Sequence, residues 1–504
     1  MEDPATNITA PDCHPQRWGQ APNYRGTVDI IWLCFSTLII CIWKTLHFSI
    51  PIARYSPTRR FFFQFIWMAI ALGAPELLFY LAINELISAK ALVKKVLASH
   101  PHLAEPGMFD RMCHVIRGLF VSAQYPYVIE YLIVTEQKRG HRREQTSKPY
   151  FGLVHAFYAN MGGFAFQDDN NATVDVPKPE TFIYIMTHFP NIITNTRRDT
   201  ILDRPASSGL DKFVLIVQVA WFCISCGSRL FQRLPLTLLE VSTAAHVLCT
   251  LATYFVWWSK PLNVPVPTLL RESEAQEVYA LLKCSDSEYA TALEMAKKGR
   301  TRDPGASKGP QPSAKVVLAA NALDHILQTK RTVPEQPVPE QPAPEKPVPE
   351  QLAPNRPPEP RFRGSRTLFP GNFEKKSSSE RSLSLLAAAI SSLLYGPFHF
   401  LAWNHNLPTS MERLLWRVSS IVVTCSGPVF AFVLAFFIIL KEVLRFKPRF
   451  IFEVLGIILS FVVIPATHML ASGYLIGESF RQLASLDSTA YQLPSWSYYW
   501  PHIS

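Results

Sequence analysis

The run Trp416-Arg-Val-Ser-Ser-Ile-Val-Val-Thr-Cys-Ser-Gly-Pro-Val-Phe-Ala-Phe-Val-Leu-Ala-Phe-Phe-Ile-Ile-Leu440 carries a single charge, Arg417, at its head. A helix built from it has no polar face and cannot lie on the surface of a soluble protein. The hydrocarbon core of a bilayer is crossed by about 20 apolar residues in a helix, so this stretch reads as a membrane span. Working outward, the same test is met by Val28 to Leu46, Phe61 to Ile83, Phe213 to Phe231, Leu236 to Trp258, Leu383 to Trp403 and Phe450 to Leu475. Only Gln232 to Pro235 part the two middle spans, which form a tight helical hairpin. Trp43, Trp257, Trp258, Trp403, Trp416, Trp496 and Trp500 stand near span ends, where aromatic side chains anchor at the lipid–water interface. The fold class is all-α, a polytopic transmembrane helical bundle of seven spans, or eight if Gly118 to Val134 also crosses. That last segment is short and contains Gln124, Pro126 and Glu130; it could cross, lie in the interface or pack as a soluble helix.

The 504 residues carry a formal net charge of +10. Much of the positive charge flanks apolar spans, as at Arg59-Arg60 and from Lys441 to Arg449. Membrane proteins collect Lys and Arg there for topological reasons, which points to the lipid bilayer and away from nucleic acid as the partner. The nine cysteines are scattered. Cys223 and Cys226 form a CxxC, but it lies inside a span with no second pair of ligands, so packing rather than zinc binding is expected. No Walker A loop, GxGxxG, HExxH or GxSxG sequence is present. Neither a metal nor a cofactor is expected.

Asn7-Ile8-Thr9 and Asn171-Ala172-Thr173 are glycosylation sequons. A modified Asn7 places the N-terminus in the lumen or outside the cell. The basic cluster of Lys44, Arg54, Arg59 and Arg60 then marks the first loop as cytosolic. A modified Asn171 requires seven spans, whereas a cytosolic Lys441 to Arg449 requires eight. These two signals conflict. Which membrane holds the chain, endoplasmic reticulum, another endomembrane or plasma membrane, is not encoded in either.

The chain divides into a lumenal or extracellular segment (1–26), two spans (27–83), a polar, partly folded loop region (84–212), the hairpin (213–262), a short helical segment (263–299), a Pro-rich linker (300–382), three spans (383–475) and an interfacial tail (476–504). In the linker, Val333-Pro-Glu-Gln-Pro-Val-Pro-Glu-Gln341 begins a near-repeat with proline every two or three residues. Proline at that density blocks helix and ladder and favours extended polyproline II, so Arg300 to Ser382 is expected to be a disordered spacer and a candidate docking segment for a partner.

Ionisable residues inside spans carry the functional information, because burying a charge in lipid is costly. Glu76, in Ala74-Pro75-Glu76, stands beside a proline that removes a backbone donor and kinks the helix. It is a candidate for proton transfer or cation binding; the alternative is a neutral carboxyl hydrogen-bonded to a neighbouring helix. Glu240 and His246 are six residues apart, about 240° around a helix, and do not share a face. His399 and His468 each stand near a proline and near a span. Glu76, Glu240 and His399 are the catalytic candidates.

Several phrases act together as a signature: Arg25-Gly-Thr-Val-Asp-Ile-Ile-Trp32, His155-Ala-Phe-Tyr-Ala-Asn-Met-Gly-Gly-Phe164, Leu236-Thr-Leu-Leu-Glu240, Tyr254-Phe-Val-Trp-Trp-Ser-Lys-Pro-Leu262, then His399, Trp403-Asn404, Glu412 and Leu415-Trp416-Arg417. Over nearly the whole chain apart from the Pro-rich insert and the stretch near 100–148, the sequence resembles a large family of uncharacterised fungal multi-pass membrane proteins. The resemblance implies a polytopic architecture without an established activity. Because members can occur beside fungal secondary-metabolite genes, it also implies a biosynthetic role. It adds Asp29, His155 and Glu412 to the candidates, as substrate-binding residues. The expected function is action on an apolar small molecule, with an acid in a dry pocket protonating an alkene or epoxide and aromatic rings steadying the cation. The alternatives are a transporter or receptor-like protein and a non-enzymatic membrane scaffold.

Overall fold

The computed structural model describes residues 24–46, 57–104, 150–167, 174–202, 209–261, 264, 266–298, 313–332, 377–405, 407–443 and 449–494. In chain order the elements are α1 (Thr27–Thr45), α2 (Pro57–Gly73), α3 (Pro75–Ser99), α4 (Leu153–Asn160), β1 (Phe164–Gln167), β2 (Val174–Asp175), α5 (Pro179–His188), α6 (Pro190–Thr194), α7 (Arg198–Leu202) and α8 (Gly209–Phe231). There follow α9 (Leu238–Val256), β3 (Thr268–Leu270), α10 (Ser273–Leu282), α11 (Asp286–Lys298), α12 (Ala314–Thr332), α13 (Ser378–Tyr395), α14 (Ser410–Val443), α15 (Arg449–Ile458) and α16 (Ile464–Arg481). A 3-10 turn, Gly396–Ala402, extends α13, and one π-helical turn, Leu459–Val463, joins α15 to α16.

Among the described residues six helices are long and apolar enough to cross a membrane: Thr27–Thr45, Phe213–Phe231, Leu238–Val256, Ser378–Ala402, Ser410–Leu440 and Val454–Ser485. Each overlaps a span expected from the sequence. Their outward faces carry large apolar side chains. On α14, Phe432, Phe436 and Ile439 are 71%, 50% and 63% exposed, and Phe213, Ile216 and Trp221 on α8 are similarly uncovered. Water would not tolerate apolar surface on that scale, and lipid requires it. The chain is a multi-pass integral membrane protein with an all-α bundle. The candidate eighth span, Gly118 to Val134, lies outside the described residues, as do both sequons and the tail beyond Pro494.

The expected second span, Phe61 to Ile83, is not a single rod. It is divided into α2 and α3, which meet at Ala74 with a bend of 107°. Pro75 has no amide hydrogen to give Ala71, and its ring would clash with that carbonyl. Ala74 adopts φ −148°, ψ 71°, and Pro75 starts a new helix. The proline in α14 has a different effect. Pro428 leaves the Thr424 carbonyl without its helical partner, and Ser392 Oγ on α13 donates to it at 3.1 Å while accepting from Gly427 N at 3.0 Å. In lipid a freed carbonyl has no water to turn to; here a neighbouring helix supplies the donor and α14 continues.

The regions expected as a polar loop (84–212) and a short helical segment (263–299) share one apolar core. The later turns of α3 leave the bundle and bury Ala89, Leu92 and Val96 against α4 and α5, in a core that α10 and α12 complete. A small sheet, ordered β2-β1-β3, pairs β1 antiparallel to β2 and parallel to β3. Gly162, with φ 84°, ends α4 in a Schellman turn: Gly162 N donates to Ala159 O and Gly163 N to Tyr158 O. A side chain at Gly163 would collide with the Tyr158 ring, which accounts for the Gly-Gly of the signature.

The expected spacer, Arg300 to Ser382, requires correction over part of its length. Residues 314–332 contain no proline and form α12, which buries Val316, Ala319, Ala320, Leu323 and Ile326 at helical spacing in this core. The proline repeat itself lies outside the described residues. Lys260 ties the folded domain to the bundle. Its Nζ is buried, lies 2.6 Å from Glu85 Oε2 and sits 4.2 Å from the centre of the Trp257 ring. Burial pulls the Lys260 ammonium below its ordinary value against the opposing pull of Glu85.

Candidate functional site

Four of the six candidate residues occupy one local position, the third residue of a helix. Asp29 Oδ2 accepts from Gly26 N at 2.7 Å at the head of α1. Glu240 Oε2 accepts from Thr237 N at 2.8 Å, while Thr237 Oγ1 accepts from Glu240 N at 3.2 Å. Glu412 and Thr409 repeat that exchange at the head of α14, at 3.1 and 3.2 Å. His155 Nδ1 accepts from Gly152 N at 3.3 Å at the head of α4, and its Nε2 lies 3.0 Å from Thr196 O, inside the folded domain. These side chains satisfy amide groups that a helix start leaves unpaired.

Glu240 has a second task. Arg25 reaches both of its oxygens, at 2.5 and 3.1 Å, and donates through Nε to Ala490 O at 2.9 Å. Arg229, also buried, donates to Pro235 O, Ala490 O and Gln492 O. The segment around Ala490 is thereby clamped between the start of α1 and the α8–α9 hairpin. Glu412 is similarly engaged by Arg481, at 2.7 Å, which also holds Glu478. Arg417 donates to Trp403 O at 3.1 Å and Trp416 Nε1 to His399 O at 3.2 Å, so the late signature residues stitch the 3-10 turn to α14. His405, beside that turn, contacts Gln482, and burial lowers its pKa.

Glu76 differs. It is the second residue of α3, directly after the break, and its carboxylate points into the bundle at 7% exposure. The helix start favours negative charge there. Oε1 lies 2.5 Å from His468 Nε2 on α16, off the line of a linear hydrogen bond, and Oε2 is buried without a partner. His468 Nδ1 lies 3.1 Å from Ser426 Oγ, whose own hydrogen goes to Val423 O at 2.9 Å. The Ser426 oxygen is therefore an acceptor, and Nδ1 carries a proton. Glu76 and His468 then share one further proton between Oε1 and Nε2. Carboxyl with neutral imidazole and carboxylate with imidazolium both have zero net charge, the condition under which such a pair is tolerated in a bundle interior.

Polar and aromatic groups continue from this pair. Tyr395 Oη faces Ser472 Oγ on α16 without completing a well-formed hydrogen bond. The Tyr395 ring meets the rings of His246 and His399 edge-on at 5.1 and 5.0 Å, and His399 lies 6.0 Å from Trp416. His399 Nδ1 is 3.2 Å from Gly396 O, while its Nε2 is buried with no partner. The bundle thus brings together Glu76 and His399 among the candidates, adds His468, Tyr395 and Ser472, and keeps Asp29, His155, Glu240 and Glu412 elsewhere. The proline before Glu76 was the sequence signal for the break. Nothing in the sequence distinguished Tyr395 or Ser472 from ordinary span residues. Among the described residues no group of three His, Cys, Asp or Glu could hold a metal ion.

No curated protein and no solved structure matches the chain. A family model matches residues 4–296 and 376–503, most of the chain, and leaves out the stretch that holds α12 and the proline repeat. On that match the chain belongs to a family of unknown function (DUF8562).

Proposed function

We propose that the protein performs acid–base chemistry on an apolar, membrane-borne small molecule, as an enzyme of fungal secondary metabolism, with Glu76 and His468 as the proton-handling pair. The observation that carries this reading is the Glu76 carboxylate: buried, 2.5 Å from an imidazole that already holds one proton on its other nitrogen, and with one oxygen unpartnered. A merely structural carboxyl would have both oxygens engaged, as Glu240 does. In the carboxyl form Glu76 would transfer its proton to an alkene or epoxide. The O–H bond breaks as a C–H or epoxide O–H bond forms, and a carbocation results. Its loss of a proton to the carboxylate or to His468 restores the acid or passes the proton to the pair. Tyr395 and Trp416 supply ring faces that steady positive charge. The biosynthetic setting rests on the family resemblance of the signature phrases.

Metabolite profiling of a deletion strain tests the proposal. Wild-type protein should restore the missing product, and Glu76→Gln and His468→Gln should not, at equal protein level. Unchanged product with Glu76→Gln would refute it. One observation favours a second reading, proton-coupled transport: a helix broken within the bundle is a device transporters use to build a site. Flux of the metabolite into proteoliposomes without chemical change would select that reading.

A further inference from the structure

His246 stands one turn behind the helix break, on α9, and both of its ring nitrogens face carbonyl oxygens. Nδ1 lies 2.8 Å from Ser242 O, one turn back on its own helix, and Nε2 lies 2.8 Å from Leu72 O, at the end of α2. A carbonyl oxygen can only accept. A neutral imidazole has one N–H, so one of these contacts would set a nitrogen lone pair against an oxygen lone pair; only the imidazolium donates to both. Leu72 O is one of the carbonyls that the break leaves without its partner in an unbroken helix, because that partner would be Glu76 N. His246 is buried, at 2% exposure. A small cavity at the same junction is lined by Thr45, Ala71, Pro75, His246, Thr250 and Thr253, among others, and is about the size of one water molecule.

We propose that His246 is a cationic latch: as imidazolium it ties the broken end of α2 to α9, and loss of one proton releases the break that positions Glu76. This does not depend on the chemistry proposed for Glu76, only on the break itself. α2 is held mainly through Trp67, Met68 and Ala71, while Phe61, Phe62 and Phe65 face outward. The groups that set the field at the latch come from every element around it. Tyr395 meets its ring from α13 and His399 lies beyond that on the 3-10 turn, close enough to act on His246 electrostatically. Glu76 on α3 is close enough to Tyr395 to act on it electrostatically, and with His468 on α16 it forms one neutral pair. On α9 itself Glu240 is taken by Arg25, and Cys249 follows one turn on. α1 contributes Ile42 and Thr45 to the cavity and carries Lys44 in its last turn. The described part of α2 at the break, Ala71 to Gly73, holds no ionisable group.

The test uses the full chain in lipid nanodiscs. Nitrogen NMR of histidine-labelled protein should show one imidazole with both nitrogens protonated whose signal disappears in His246→Gln. Amide exchange of residues 72–74, 76 and 77 should show a step of about tenfold, beyond the intrinsic pH dependence, at the pH where that imidazole loses its proton. The step should be absent in His246→Gln. His246→Asn serves if the first variant does not fold, and coincidence of the NMR and exchange midpoints in the wild type tests the idea with no variant at all. A neutral His246 while residues 72–74 are protected, an exchange step that persists without His246, or no step across its titration would each overturn the proposal. Loss of the Glu76 chemistry in a chain whose latch titrates as described would leave the latch standing and remove only the enzymatic reading.

Discussion

Replacing Glu240 by Ala should cost the protein about 3–5 kcal/mol, because it leaves the buried Arg25 guanidinium without its carboxylate. The same change removes the acceptor of Thr237 N and Thr237 Oγ1, a capping contribution of about 0.5–2 kcal/mol. The reverse truncation, Arg25→Met, leaves a carboxylate at 0% exposure with only Thr237 as donor, so it should cost a similar amount. Removing both charges at once, as Arg25→Met with Glu240→Ala, should recover most of the loss, leaving chiefly the capping cost, because no uncompensated charge remains inside. Ala490 O, which Arg25 also engages, keeps its bond from Arg229 at 3.0 Å in every variant. The double-mutant cycle should therefore show strong non-additivity, at least about 4 kcal/mol in favour of the pair, because two single costs of about 3–5 kcal/mol collapse to the capping cost alone. The assay is unfolding in mixed micelles with increasing denaturing detergent, read by tryptophan fluorescence. Additive single costs, or a Glu240→Ala protein of unchanged stability that has lost its activity, would refute the assignment of Glu240 to structure.

Glu76→Gln should instead leave the unfolding midpoint nearly unchanged, since the amide fills the same space and His468 can stay neutral, while abolishing product formation in the complementation assay. Ser392→Ala should cost about 1–3 kcal/mol by orphaning Thr424 O, and much less in a Pro428→Ala background, where the restored amide supplies that carbonyl; the same detergent titration reads it. Glu288 is held down to about 2 by hydrogen bonds from Lys315 and from Ser285. Its folded value lies below the unfolded one, so its contribution is complete above about pH 4.5 and is lost as pH falls towards 2. Pepsin should then cut around α11 increasingly over that window, and Lys315→Ala should move the onset to higher pH. Onset at the same pH in that variant would sink the assignment.

The spans were legible because a membrane helix is written in composition alone: about 20 apolar residues suffice, whatever they pack against. The second span was harder. Phe61 to Ile83 passes the same test, yet Pro75 divides it, whereas Pro428 does not divide α14. Sequence alone cannot tell these prolines apart. The difference is whether another helix brings a donor to the freed carbonyl. Ser392 lies on α13, distant in sequence from Pro428, and closes the gap in α14. At Ala74 the chain turns by 107°, and His246 comes to the carbonyl of the already separated end. The folded domain was obscured for a related reason. Its core draws on α3, α4, α5, α10 and α12, and no single piece is apolar enough to announce itself. The proline repeat next to α12 hid that helix within a stretch that reads as spacer.

The candidate residues show how a signature can point to helix ends instead of chemistry. Thr237-Leu-Leu-Glu240 and Thr409-Ser-Met-Glu412 are Thr-x-x-Glu sequences directly before apolar runs, the pattern of a capping box. That pattern was readable without a structure, and it accounts for both carboxylates. Asp29 and His155 follow a glycine at the same spacing and do the same work with the glycine amide. A carboxylate whose oxygens are occupied by a helix start and a guanidinium has little left with which to move a proton. Glu76 is exempt because Pro75 sets it at the second position of its helix, not the third, and the amide of the cap residue, Ala74 N, already donates to Ile70 O at 2.8 Å. The break that exempts Glu76 from capping also turns its side chain into the bundle, towards His468. Sequence context thus separates the acids more sharply than burial does, since Glu76 and Glu240 are both almost fully enclosed. What singles out Glu76 is that the local backbone has no use for it.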